Sequence, residues 1–359
     1  MNGQPEQDQD VAVQTVLGPV ALADLGLTLM HEHVYQDLSE ALHPGVRDFT
    51  QDLTDVLVTP ALAWVLREDP YSCPDNCRLD DEGITVEELG LFAGVGGRTV
   101  VDNTTGKGRD AVRLVRTAKA TGLNIVMGSG WCLAHGDEDV LARTPVEELA
   151  AGLVAEHRDG VEVEGGTRIR PGIIGEIGVG PNFTSSERVT LIASAMAQRE
   201  TGTPLLIHLP GWQRRAHEVL DIVFEQGVDP AAVVLCHMDP SGKDVGYQRE
   251  VAARGPWLEF DMIGMPFNFP GEGQSPSVED TADAIAGLYA DSLGGQLLLS
   301  QDVFLKGMWT RNGGNGYAFV PTAFLPRLVE RGIDPAAARD LLVGNPAAVF
   351  RAAARVPTG

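Results

Sequence analysis

Basic residues are scarce in this chain: 27 lysines and arginines stand against 50 aspartates and glutamates, a formal charge of −23 over 359 residues. Nucleic acid and anionic membrane surfaces demand clustered Lys and Arg, so both are excluded as partners. Cysteine is also scarce, with Cys73, Cys77, Cys132 and Cys236 too few and too scattered for a disulfide framework. Cys73 and Cys77 sit close together, but a structural zinc site needs two further ligands nearby and none follows, so reduced loop thiols are expected. No run approaches the roughly 18 apolar residues of a membrane span. The start, MNGQPEQDQD, lacks the apolar stretch of a signal peptide, which makes the cytoplasm the expected compartment.

What the chain does have is a recurrence. Short apolar, β-prone runs fall at 27–33, 98–103, 124–129, 171–176, 204–208, 232–237, 257–261 and 296–302. Amphipathic helix patterns lie between them, as at 110–119 and 186–198. Eight strands, each followed by a helix, predict a (β/α)₈ TIM barrel, an α/β fold that runs to 250 residues or more as one unit. Residues 1–10 read as a disordered tail and 11–359 as a single domain. Residues 11–20 read as a hairpin turning at Gly18-Pro19, and Gly344-Asn345 as the cap of a last helix under the barrel floor. The long connections 34–96 and 262–295 are expected over the barrel mouth, the second as a mobile loop.

The chemistry gathers at the strand ends. Leu27-Thr28-Leu29-Met30-His31-Glu32-His33 closes the first strand with two imidazoles on one face, Glu32 facing the other way. The fourth run ends in Glu176, the fifth in His208, the sixth in His237 and the eighth in Asp302. In a barrel the C-terminal strand ends converge on one mouth. Two metal sites follow, one from His31, His33 and Asp302, the other from His208 and His237, with Glu176 bridging. Two cations about 3.5–4 Å apart share a water and turn it into hydroxide near neutral pH, for attack on a carbonyl carbon or a phosphorus. Asp302 is placed to accept the proton as general base. Nitrogen and oxygen ligands suit Zn²⁺, and also Mn²⁺, Co²⁺ or Ni²⁺.

Other residues carry weaker expectations. Trp131, after the third strand, is expected to line the substrate pocket. Lys306 or Arg311, by the glycine-rich segment after the eighth strand, is expected to pair with an anionic group on a small-molecule substrate. Cys132 borders the same region without the marks of a nucleophile. Cys236 is expected to point outward to the helices as core. Asp239 and Lys243 belong at the pocket rim, and His43, His135, His157 and His217 at the surface.

The ligand pattern, with DPYS (69–72), VDNTTGKGRD (101–110), GIIGEIG (172–178), LEFD (258–261) and GGNGY (313–317), resembles the phosphotriesterase family of the amidohydrolase superfamily. The resemblance runs from about residue 15 to residue 350. It implies two metals at His31, His33, His208, His237 and Asp302, and a homodimer. Phosphotriesterases proper bridge their metals with a carboxylated lysine on the fourth strand. Glu176 stands there instead, similar to the phosphotriesterase-related subgroup, whose members are associated with hydrolysis of lactones and N-acyl amides. The expected substrate is therefore first a lactone or carboxylic ester, then an N-acyl amide, then a phosphate ester. The rival from another class is a non-catalytic small-molecule-binding barrel.

Overall fold

The computed structural model describes residues 11–106, 108–133 and 138–354. The expected tail and His135 lie outside the described residues. Eight parallel strands build the barrel: β1 (Leu27–Glu32), β2 (Gly97–Asp102), β3 (Asn124–Met127), β4 (Ile174–Gly178), β5 (Leu205–His208), β6 (Val233–Leu235), β7 (Trp257–Phe260) and β8 (Leu297–Leu299). They pair as two arcs, β1-β2-β3 and β4-β5-β6-β7-β8. Backbone hydrogen bonds close the ring at both seams: Gly172 N donates to Met127 O at 2.9 Å and Gly175 N to Ser129 O at 2.8 Å on one side, and Asp302 N donates to His31 O at 3.2 Å and His33 N to Val303 O at 3.3 Å on the other. The fourth strand starts later than its apolar run suggests, because Pro171-Gly172 serves as the lead-in.

Helices α1 (Glu82–Gly94), α2 (Ala111–Thr121), α3 (Val146–Asp159), α4 (Ser185–Thr201), α5 (Ala216–Glu225), α6 (Val245–Ala252) and α7 (Val278–Ala290) fill the crossovers. Their starts are written in short polar side chains. Asp110 accepts from Arg113 N at 2.9 Å to begin α2, and Thr184 and Glu187 form a reciprocal capping box that begins α4 slightly ahead of the expected Ser186.

Alternate side chains along each strand fall into two separate apolar clusters. Leu29, Val100, Ile125, Ile207, Leu235 and Leu299 pack with helix residues such as Leu114, Leu191, Leu220 and Leu288. Met30, Val101, Val126, Leu206, Val234 and Leu298 face one another inside the barrel, sealed below by Val13, Val349 and Phe350. A sealed floor leaves the C-terminal mouth as the way in for a ligand.

Several expectations change here. The N-terminal hairpin pairs Ala12–Thr15 with Gly18–Ala21, so the turn is Val16-Leu17 while Gly18 and Pro19 already pair. The last helix, Gly344–Ala353, has no side-chain cap. Asn345 instead donates to Gly294 O at 2.8 Å and Leu297 O at 2.7 Å, tying the floor to β8. The 262–295 connection forms a small hairpin, Asn268–Phe269 with Gly273–Gln274, before α7. No helix among the described residues is long and apolar enough to cross a membrane.

His157, expected at the surface, is buried in the last turn of α3, where its Nε2 meets Ser129 Oγ at 2.7 Å. Burial, helped by Arg109, pushes its pKa from 6.5 down to about 4. A depressed folded pKa means that the unfolded chain binds the proton first. The stabilisation is therefore complete above about pH 6.5 and is lost as pH falls toward about 4. The loss amounts to about 3 kcal/mol at the low end. His157→Gln should flatten the acid limb of stability in that window. An unchanged limb in a pH series of urea melts would contradict a buried neutral imidazole.

Candidate metal centre

The six residues from five strand ends meet at the bottom of the mouth. His31 Nε2 lies 3.6 Å from Glu176 Oε2 and 3.7 Å from Asp302 Oδ1. His33 Nε2 lies 3.3 Å from Asp302 Oδ1 and 3.7 Å from Glu176 Oε1. On the other side, His208 Nδ1 is 3.1 Å from Glu176 Oε2, and His237 Nε2 is 2.8 Å from His208 Nδ1 and 3.3 Å from Glu176 Oε2. Glu176 thus turns one oxygen toward His33 and the other toward the remaining imidazoles. His31 Nε2 and Asp302 Oδ1 are buried without a hydrogen-bond partner among the described residues. Native interiors rarely leave such atoms unpaired. Two of them aimed into one space, among nitrogen and oxygen donors, fit divalent cations.

The electrostatics favour positive charge at this point. Burial opposes charging His31, yet Asp261, Glu176, Glu259 and Asp302 raise its pKa to about 10. Burial likewise opposes charge on Glu176, but His208, His31 and a hydrogen bond from His237 hold its carboxyl well below the usual range. Asp302 is lowered in the same way, against burial, by His33 and His31.

Behind these residues stands a ring of acceptors that sequence reasoning missed. Glu259 Oε2 and Asp261 Oδ2 lie 3.1 and 3.3 Å from His31 Nδ1. Asp261 Oδ1 meets His237 Nδ1 at 2.8 Å, and its Oδ2 accepts the His237 backbone N–H at 2.9 Å. Thr104 Oγ1 meets His33 Nδ1 at 2.9 Å. Acceptors on Nδ1 put the free lone pair on Nε2, facing the centre. The signal was present in LEFD, where Glu259 and Asp261 alternate on one face of β7 as His31 and His33 do near β1. Glu32 acts at a distance from the centre: it accepts from Ser300 Oγ at 2.8 Å, Gln301 N at 3.0 Å and Val303 N at 2.7 Å, bracketing Asp302. Asp302 and His237 hold φ of +51° and +59°, values that non-glycine residues rarely adopt and that concentrate at functional sites.

The left-handed turn at His237 also corrects Cys236. Strand alternation holds through Cys236, with Val234 inward, Leu235 outward and Cys236 inward beside His31, Glu259 and Asp261, and it breaks at His237.

Above the centre opens a cavity of about 260 Å³, walled mainly by Tyr71, Leu133, Trp212, Met265, Phe269 and Phe304. The Tyr71 ring packs between Phe269 and Phe304, and its hydroxyl makes no hydrogen bond among the described residues. Cys132 also lines the cavity, its Sγ 3.5 Å from Glu176 Oε1. Three expectations fail here. Lys306 does not reach the cavity, because its ammonium sits 2.7 Å from Asp75 and 2.9 Å from Asp80. Arg311 lies outside it, half exposed and 3.7 Å from Glu87. Trp131 packs against the core instead, its carbonyl held by Gly178 N at 2.9 Å, and Cys132 and Leu133 face the cavity in its place. Asp239 and Lys243 border a neighbouring cleft. Asp239 is buried and accepts from Met262 N, while Lys243 pairs with Asp280.

A model of the phosphotriesterase family matches residues 11–350. This chain belongs to the phosphotriesterase family. Its members depend on two metal ions, and the chain is a hydrolase. It is 36% identical to an N-acetyltaurine hydrolase of Tetraodon nigroviridis, covering 93% of this chain and 96% of that one. Among solved structures it is similar to a resiniferatoxin-binding protein from Rhodobacter sphaeroides, at 45% identity and a TM-score of 0.91 over 96% of each chain. It is also similar to the phosphotriesterase homology protein of Escherichia coli, complexed with phosphate in its active site. That match has 27% identity and a TM-score of 0.73 over 91% of this chain and 99% of that one.

Proposed function

We propose that the chain hydrolyses the amide bond of a small N-acylated compound, at a two-metal centre held by His31, His33, Glu176, His208, His237 and Asp302. The hydrolytic chemistry rests on one observation above all: Asp302 Oδ1 stands without a partner at the cavity floor, within 3.3–3.7 Å of two imidazoles. The preference for an amide rests on the relatives named N-acetyltaurine hydrolases. Divalent cations, with zinc the proposed native ion, supply Lewis acidity when bound, polarising a carbonyl and acidifying water. Asp302 Oδ1 takes the proton from the attacking water and passes it to the leaving nitrogen, which must depart as an amine. The apolar wall holds the acyl group and keeps bulk water from the reacting carbon.

Tyr71 supplies a neutral hydrogen bond to the substrate. Losing such a bond costs about 1.5–3 kcal/mol where charge develops, or about 10–100-fold in kcat/KM. Tyr71→Phe should show that drop with unchanged metal content. Wild-type kcat/KM would remove the phenol from the substrate's reach.

A lactone or carboxylic ester is the second reading, favoured by the apolar lining of the cavity. The deciding experiment is turnover of N-acyl amines, N-acyl amino acids, N-acetyltaurine, lactones, aryl esters and phosphotriesters, beside a His208→Ala/His237→Ala double variant. Amide turnover lost in the variant is the expected result. Turnover of lactones alone would replace the first reading with the second, and turnover untouched in the variant would contradict both.

A further inference from the structure

We propose that Asp102, buried behind the centre and outside the cavity wall, is a positioning residue: it fixes the tautomer of His33 by fixing the direction of the Thr104 hydroxyl. The proposal rests on the two-metal reading above, in which His33 holds the inner ion with His31 and Asp302. His31 and His237 each have a carboxylate against Nδ1, whereas His33 has a hydroxyl there, Thr104 Oγ1 at 2.9 Å. A hydroxyl donates or accepts, so Thr104 by itself leaves the tautomer open. Its other neighbours close the choice. Asp102 Oδ1 stands 2.9 Å from Thr104 Oγ1, and Gln36 Oε1 stands 3.2 Å away. Gln36 has an NH₂ group that it can turn in instead; the Asp102 carboxylate has none. Thr104 carries one proton, and aiming it at His33 would set its lone pairs against a carboxylate oxygen in the interior, where such a contact is costly. The proton therefore goes to Asp102, Thr104 accepts from His33 Nδ1–H, and the lone pair of Nε2 faces the centre.

Asp102 is itself held as an acceptor. Its Oδ1 also takes the backbone N–H of Val34, the residue after His33, at 3.1 Å. Its Oδ2 is buried without a hydrogen-bond partner among the described residues. Burial raises the Asp102 pKa, but a proton taken up there sits on Oδ2, so Oδ1 accepts in either charge state. The His33 main chain is fixed by other groups: its N–H donates to Val303 O at 3.3 Å, and its carbonyl accepts from the Tyr317 hydroxyl at 2.8 Å. What Asp102 governs is the ring. The same geometry sets Asp102 apart from Asp261. Both oxygens of Asp261 face N–H donors, so an asparagine there turns its NH₂ on one of them. At residue 102 the Val34 N–H keeps an amide oxygen beside Thr104, and the NH₂ takes the place of the idle Oδ2.

The test titrates zinc-loaded wild type, Thr104→Val, Thr104→Ser, Asp102→Ala and Asp102→Asn with a chelator and counts the zinc that each retains. Thr104→Val and Asp102→Ala are expected to give up one of their two ions at a chelator concentration about 10–100-fold below that for wild type. Thr104→Ser keeps the hydroxyl and Asp102→Asn keeps the acceptor, so each is expected to hold that ion as wild type does. Wild-type retention in Thr104→Val or Asp102→Ala would overturn the relay and leave the two-metal centre standing. So would an Asp102→Asn that loses its ion as early as Asp102→Ala, because Asp102 would then act through its charge. Zinc absent from wild type would overturn both readings. If Asp102→Ala does not fold, the near-isosteric pair Thr104→Val and Asp102→Asn decides by the same criteria.

Discussion

Asp302→Asn is expected to fold, to keep most of its metal and to lose about 10²–10⁴-fold in kcat. The substitution preserves shape, and the clasp that positions residue 302 is untouched, since Glu32 holds the neighbouring backbone at Gln301 and Val303 rather than the side chain. What disappears is the basic carboxylate oxygen, the atom left unpaired at the cavity floor. His33 and His31 lower the Asp302 pKa, so the carboxylate is ionised at neutral pH and ready to accept a proton. Loss of a proton acceptor that works only during reaction appears in kcat and kcat/KM together, with little change in KM. Steady-state kinetics on metal-counted protein checks it, and full activity would remove Asp302 from proton transfer.

The second large effect is expected at Asp261, which never touches the substrate. Its carboxylate serves His237 Nδ1 at 2.8 Å and His31 Nδ1 at 3.3 Å, one imidazole of each metal site. An asparagine can offer its NH₂ to those nitrogens, which moves the ring proton to Nε2, the atom that should face the metal. Removing an acceptor behind a ligating histidine typically costs 10–100-fold in metal affinity, by an order-of-magnitude estimate. Asp261→Asn should therefore lose metal to a chelator at a concentration about 10–100-fold lower than wild type does, and should regain activity when excess Zn²⁺ is supplied. That rescue separates it from Asp302→Asn, which excess metal cannot restore. An unchanged chelator midpoint would mean that Asp261 does not set the tautomers.

The barrel and the six clustered residues were legible because both rest on local rules. Apolar runs at regular spacing mark strands, and the catalytic end of a strand is its C-terminal end, so His31, His33, Glu176, His208, His237 and Asp302 could be placed without coordinates. What failed depended on non-local pairing or on broken periodicity. Lys306 read as a free cation because its partner Asp75 stands 231 residues away in sequence. Cys236 reads as outward-facing when alternation is counted back from an inward His237, but the left-handed His237 breaks the alternation and Cys236 follows Val234 into the barrel. Trp131 was expected to supply the aromatic wall that Trp212 provides from beyond β5. Glu259 and Asp261 were within reach of the period-two argument applied to His31 and His33. They were passed over because carboxylates one shell behind the metal look, in sequence, like any buried pair on a strand.

The measurement that bears most directly on the whole account is metal content per chain, in wild type and in the His208→Ala/His237→Ala double variant. The expected result is two equivalents in wild type and one in the variant, because His31, His33 and Asp302 keep the inner ion. Equal content in the two proteins, or no metal in either, would contradict a two-metal hydrolase built on these strand ends.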